Sequence, residues 1–168
     1  MKLTLRKMLA PLCLIVFLCS ASQVMAETIE GQAPDFTLKS QGGQNLRLSD
    51  LRGEVVMINF WASWCGPCRQ EMPLLDQLYA QYKPMGFTIL GVNVEEDSQK
   101  AQELLKSVSV SFPVLFDNQS KVSKLYDVVA MPSTILVDRD GNMRYVQHGY
   151  KPGYEQEYQD QIRALIRE

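Results

Sequence analysis

The chain predicts an α/β fold, a mixed central sheet flanked by helices, on three observations. Residues 55–61 and 87–94 are nearly continuous β-rich apolar runs, as expected of strands buried on both faces. Between them, Met72, Leu75, Leu78, Tyr79 and Tyr82 recur at helical spacing. Further on, two short strand-like runs flank Asp140-Gly141, and an amphipathic stretch follows to the C-terminus. Strand–helix–strand alternation followed by a hairpin and a helix gives helices layered on one sheet.

Taken in order, residues 1–26 read as a secretory signal. Lys2, Arg6 and Lys7 form a basic start, Met8 to Cys19 an apolar core, and Val24-Met25-Ala26 a small-residue cleavage site. The apolar run of about a dozen residues is short of the ~20 that span a bilayer, and Ser20, Ser22 and Gln23 dilute any longer window. Cleavage is therefore expected in preference to a membrane anchor, leaving residues 27–168 as one domain. Bulky Val16-Phe17-Leu18 before Cys19 also speaks against a lipid-modified terminus.

Residues 28–53 are polar, and Gly42-Gly43 separates Phe36-Thr37-Leu38 from Leu46-Arg47-Leu48, the pattern of a β-hairpin or a two-stranded flap. The first strand covers 55–61 and the helix after it about 65–82, with a bend expected at Pro73. After the second strand, Asp97 is placed to cap a helix running to about 107. Residues 112–116 read as a strand, 121–126 as a short helix, and 133–137 and 143–148 as paired strands. Residues 154–168 close the chain as a helix with Tyr158, Ile162, Leu165 and Ile166 inward.

Charge narrows the function classes. The chain has 17 Lys and Arg against 19 Asp and Glu, a net charge of −2, and loss of the leader takes it to −5 because that segment holds three basic and no acidic residues. A mildly acidic body without basic runs argues against nucleic acid and against adhesion to anionic lipid. Without the leader only Cys65 and Cys68 remain of the four cysteines. Export to a compartment where disulfides persist, with one close pair, suits a protein that handles other proteins' disulfides.

The chemistry sits in Trp64-Cys65-Gly66-Pro67-Cys68. A pair kept for stability usually staples distant segments, and so small a loop constrains the unfolded chain weakly. A zinc site needs about four ligands, more soft ones than this chain offers. At a helix start Cys65 meets unpaired N–H groups and the positive end of the helix dipole, which favour its thiolate, and Cys68 follows one turn on within bonding reach. In the cycle these residues allow, Cys65 attacks a substrate disulfide and Cys68 then displaces the substrate from Cys65.

The run Phe60-Trp61-Ala62-Ser63-Trp64-Cys65-Gly66-Pro67-Cys68 resembles the active-site strand and helix start of thioredoxin-fold proteins. Three further segments resemble the exported TlpA/ResA-like thiol–disulfide oxidoreductases: Gly31-Gln32-Ala33-Pro34-Asp35-Phe36-Thr37-Leu38, Leu48-Ser49-Asp50-Leu51-Arg52-Gly53, and Ser111-Phe112-Pro113-Val114. The likeness spans about residues 30–166. It implies a thioredoxin-like fold with an N-terminal β-hairpin and a central strand–helix insertion, and a periplasmic, monomeric reductase of exported proteins. It further implies electrons from a membrane-embedded thiol donor and no cofactor or nucleic-acid partner.

The same resemblance implies site roles. Glu71, three residues beyond Cys68, stands where ResA-like members have a glutamate, and is read as the acid/base for the Cys68 proton; the alternative is an exposed glutamate at the helix end. Pro132 is implied to follow a cis bond facing the cysteines, leaving the backbone of Met131 to pair with a substrate peptide. Trp64 shapes the docking face, Gly66 and Pro67 limit bulk at the helix start, and Trp61 packs in the core.

Two departures stand out. Asn59 replaces the buried aspartate of cytosolic thioredoxins. Ala130 and Ser133 replace the glycine and glutamate that flank the corresponding proline in cytochrome c maturation members.

Other readings of these residues are a disulfide oxidant or isomerase, a Cu(I) chaperone binding through Cys65, Cys68 and the single histidine His148, and a thiol peroxidase. Related copper chaperones usually place three residues between their cysteines. A peroxidatic cysteine usually sits in a Thr-x-x-Cys setting, whereas Cys65 follows Ala62-Ser63-Trp64.

Overall fold

The computed structural model describes residues 31–168, so the candidate leader at 1–26 lies outside the described residues. In chain order the elements are β1 (Thr37–Ser40), β2 (Asn45–Arg47), β3 (Val55–Trp61), α1 (Gly66–Tyr82), β4 (Phe87–Asn93), α2 (Gln99–Ser107), β5 (Val114–Phe116), α3 (Lys121–Leu125), β6 (Ser133–Val137), β7 (Met143–His148) and α4 (Tyr154–Arg167). The strands form one sheet in the order β2-β1-β5-β4-β3-β6-β7. β3, β4 and β5 run parallel, joined by the α1 and α2 crossovers, while β6 and β7 are antiparallel additions beside β3. The N-terminal hairpin is an extension of the sheet and not a separate flap, since β1 pairs antiparallel with β5 through Lys39–Phe116 and Ser40–Leu115.

The period of two along the central strands builds two cores. Val55, Met57 and Trp61 of β3 face α1, α2 and α4, where they meet Met72, Leu75, Tyr79, Ala101, Tyr158 and Ile162. Val56, Ile58 and Phe60 face the other way, onto Phe36, Leu48, Val122 and Ile135. Asn59 therefore points to the helical side between Met57 and Trp61, and is 1% exposed. A buried amide in an apolar strand needs partners, and these come from the candidate site.

Helix α1 starts directly below the end of β3. Pro73 does not end it; the ring lies on the exposed side, and only the carbonyl of Arg69, four residues back, forgoes an N–H partner. Ser98, not Asp97, is the N-cap of α2, but Asp97 still serves the helix start from one residue before it, its Oδ1 accepting the Gln99 N–H at 2.9 Å. β5 is shorter than the sequence suggested. Phe112 leaves the strand line and packs into the helical-side core, edge-on to Tyr79 with ring centroids 6.2 Å apart, and pairing begins only at Val114. In α4, Tyr158, Ile162 and Leu165 are buried, whereas Ile166 is only partly so. Among the described residues no helix is long and apolar enough to cross a membrane.

Gly91 of β4 has ordinary strand geometry but no room for a side chain. A Cβ there would lie 2.8 Å from Phe112 Cε2 and 3.5 Å from Trp61 Nε1. Overfilling a close-packed core costs about 1–3 kcal/mol. Gly91→Ala is expected to lower stability by that amount, read from the urea midpoint at unchanged slope; an unaltered midpoint would show that Phe112 yields freely.

Candidate active site

The site grows out of the junction between β3 and α1. After Trp61 the chain makes one tight turn, closed by the Cys65 N–H bonding the Ala62 carbonyl at 3.1 Å, and α1 begins at Gly66. Cys65 is the N-cap, in extended conformation, and its Sγ accepts the N–H of Cys68 at 3.1 Å. The sulfur thus occupies the place where a capping oxygen usually stands, against N–H groups that the first helical turn leaves unpaired. Pro67 stands in that first turn, where a missing N–H costs nothing. Cys65 and Cys68 are joined by a disulfide with Cα atoms 5.3 Å apart, and both are buried, while the neighbouring Trp64 is 68% exposed.

The turn is held from below. Glu95, just past β4, accepts the Ser63 N–H and the Ser63 hydroxyl, each at 2.7 Å, and the Asn93 side-chain amide at 2.9 Å. Burial alone would raise its pKa, but these bonds outweigh it and hold the carboxyl below its ordinary value.

Glu71 is 1% exposed, so the reading of it as a solvated helix-end glutamate is overturned. Its carboxylate accepts the Tyr158 hydroxyl at 2.9 Å and the Asn59 amide at 3.0 Å; Asn59 also donates to Thr134 Oγ1 at 2.9 Å. Among the described residues it forms no salt bridge. Desolvation dominates and lifts the Glu71 pKa to about 7, with the bonds from Tyr158 and Asn59 pulling the other way. The carboxyl therefore sits near the balance point for exchanging a proton at neutral pH, one helical turn beyond Cys68.

Across the sheet end, the Met131–Pro132 peptide is cis. The loop is pinned by Ser133 Oγ, which donates to the Ala130 carbonyl at 2.8 Å and lies 3.0 Å from His148 Nδ1, and by the Gly149 N–H on the Pro132 carbonyl at 2.7 Å. Met131 is half-buried and touches both cores. The residues of the copper reading are not gathered in this structure: Cys65 and Cys68 are joined to each other, and His148 is engaged elsewhere. On β7 it pairs with Ser133, and no three His, Cys, Asp or Glu side chains among the described residues come close enough to hold a metal ion.

The structure thus gathers Trp64, Cys65, Gly66, Pro67, Cys68 and Glu71 along one strand–helix junction, with Met131 and Pro132 opening the neighbouring strand β6. Sequence reasoning missed Asn59 and Tyr158 as partners of Glu71, along with Thr134 and Glu95. Two signals pointed to them: an amide inside an otherwise apolar strand, and a phenol on the inward face of a helix, each of which needs a polar partner when buried.

Residues 29–146 match the AhpC/TSA family. The chain is 39% identical over 124 residues to the thiol-disulfide oxidoreductase ResA of Geobacillus kaustophilus, covering 74% of this chain and 71% of that one. It is 34% identical over 142 residues to ResA of Geobacillus thermodenitrificans, covering 84% and 82%. Among solved structures, a Chlorobium tepidum protein designated a thiol:disulfide interchange protein DsbE superposes with TM-score 0.79 at 37% identity, over 84% of this chain and 99% of the other. The thioredoxin-like fold follows from these matches.

The raised Glu71 pKa has a consequence for stability. Between the unfolded value near 4.5 and the native value near 7 the folded protein binds the extra proton, so stability is fullest below that window and falls as pH rises through it. The loss amounts to roughly 3 kcal/mol at the top of the window. In urea unfolding of the oxidised protein, Glu71→Gln is expected to remove this slope and to be more stable than the parent above pH 7. A parallel slope in the variant would place the titration elsewhere.

Proposed function

The chain belongs to the AhpC/TSA family and is a thiol–disulfide oxidoreductase acting on proteins, and on that footing we propose that it is a reductase of disulfides in exported proteins, working through Cys65 and Cys68. The observation that carries the reading is the Cys65 sulfur seated as the N-cap of α1, with the buried Glu71 carboxyl one turn beyond Cys68. In the cycle, the Cys65 thiolate attacks one sulfur of a substrate disulfide, forming a mixed disulfide and expelling the other substrate sulfur as thiolate, which takes a proton from solvent. Cys68 gives its proton to the Glu71 carboxylate, and its thiolate attacks Cys65 Sγ. The bond between Cys65 and substrate breaks, the electron pair leaves on the second substrate sulfur, and that sulfur is protonated in turn. The substrate has gained two electrons and two protons, and Cys65 and Cys68 are left as the disulfide. A membrane-embedded thiol donor then reduces the pair.

Trp64, Gly66, Pro67 and Met131 form the face on which the substrate chain lies, and Pro132 fixes the loop beside it. The exposure of Trp64 and the half-buried position of Met131 support this face. Residues 1–26 are a cleaved signal and residues 27–168 the working domain, placing it in the periplasm as a monomer. Its clients are apocytochrome c or another cysteine-bearing envelope protein. The likeness to the protein designated DsbE supports a place in cytochrome c maturation, whereas Ala130 and Ser133 at the proline loop depart from that branch.

Trapping tests the proposal. Cys68→Ala is expected to accumulate a client as a mixed disulfide on Cys65, and Cys65→Ala to trap none. A Cys68→Ala protein that captures no protein thiol, or a parent that consumes peroxide as fast as it reduces disulfides, would overturn it. Glu71→Gln is expected to slow the release step on the order of 10²-fold near neutral pH, as loss of a general base does; rapid mixing of the mixed disulfide reads that step directly.

A further inference from the structure

We infer that Tyr158 is a positioning residue for Glu71: its hydroxyl, set between Glu71 Oε1 and Thr134 Oγ1, gives the buried carboxyl a hydrogen-bond partner in both its charged and its neutral form. The inference deepens the reading of Glu71 as the proton partner of Cys68 and rests on it for its use in the cycle.

The difficulty it resolves is one of satisfaction. A carboxyl that takes up and releases a proton away from water changes from pure acceptor to donor. A surround that suits one form leaves an unpaired polar group in the other, at a cost that would pin the group in a single state. Among the described residues, Asn59 on β3 and Tyr158 on α4 bond Glu71 directly, Thr134 on β6 bonds both of them, and Cys68 lies one turn earlier on the same helix; in the connection from β7 to α4, the proton of Tyr150 is held more tightly by burial and then by the charges of Glu155 and Glu71. Asn59, Thr134 and Tyr158 are all at most 2% exposed.

Their hydrogen bonds have one degree of freedom. With Glu71 ionised, Tyr158 donates to Oε1 at 2.9 Å, while the two amide hydrogens of Asn59 go to Oε2 at 3.0 Å and Thr134 Oγ1 at 2.9 Å. Asn59 is thereby committed in both directions. Tyr158 is not, because Thr134 Oγ1 also lies 3.5 Å from its hydroxyl and keeps a second lone pair. With Glu71 protonated, rotation about the phenol C–O bond turns the Tyr158 hydrogen toward Thr134 and frees the phenol oxygen to accept the carboxyl hydrogen. No heavy atom moves.

Two substitutions with opposite signs test this on the oxidised protein, in which neither cysteine titrates. The readout is the infrared carbonyl band of protonated Glu71, identified by its loss in Glu71→Gln, followed against pH. Tyr158→Phe removes a donor to the anion, a bond stronger than the neutral one it also removes, so the midpoint is expected to rise by about one pH unit. Thr134→Val removes the acceptor that Tyr158 uses only when Glu71 is neutral, while Asn59 loses the same oxygen in both forms, so the midpoint is expected to fall. Opposite shifts support the inference; unmoved midpoints, or shifts of the same sign, overturn it, and Thr134→Val decides the matter alone if Tyr158→Phe fails to fold.

The two readings part on kinetics. Opposite infrared shifts together with a Glu71→Gln protein that releases trapped substrate at the parent rate would keep Tyr158 as the partner of Glu71 and remove Glu71 from the cysteine chemistry.

Discussion

The placement of one sulfur at the end of a buried strand governs the rest of this molecule. β3 is hydrogen-bonded on both sides and buried on both faces, so its last residue has a fixed position and direction. Only three residues separate it from the cap of α1, and their conformation is set by a backbone bond from Cys65 to Ala62 and by the Glu95 carboxylate beneath Ser63. The sheet thereby delivers Cys65 to the point where a helix exposes its unpaired N–H groups. What favours a thiolate there is backbone geometry: the unpaired N–H groups and the positive end of the helix dipole.

The second feature is a buried carboxyl compensated by an amide and a phenol in place of a cation. A lysine or arginine beside Glu71 would hold it ionised throughout the neutral range. With only neutral donors, desolvation wins and the group titrates near neutrality. The arrangement weakens the fold at higher pH, a cost typical of sites whose chemistry asks for an uncomfortable group. It draws on four elements at once, α1, β3, β6 and α4, so the carboxyl is fixed by the tertiary packing as a whole.

The sheet also segregates its tasks. Alternation along β3 sends Val56, Ile58 and Phe60 into one core and Met57, Asn59 and Trp61 into the other. The helical side holds Cys68, Glu71 and their polar partners, while Ser133 and His148 meet on the adjacent β6–β7 pair, beside the loop that carries Pro132. The N-terminal hairpin covers β5, which would otherwise present an open edge beside the parallel strands.

The two apolar runs, the helical spacing after Cys65, the Asp140-Gly141 turn and the Trp-Cys-x-x-Cys segment were readable in the chain because each depends on neighbours within a turn or a strand. Phe112 was misplaced because its preference for the core over the strand line is decided by Tyr79 and Gly91, more than twenty residues away in the chain. Asn59 was legible as an oddity, Tyr158 only as an inward side chain. Their meeting on Glu71 spans 12 and 87 residues and is invisible to local pattern. The sequence by itself determined the redox pair and its helix start, since spacing and capping are local. Burial of Glu71 and the partners that let it titrate were decided by the tertiary structure alone, because desolvation exists only once the sheet and the closing helix have come together.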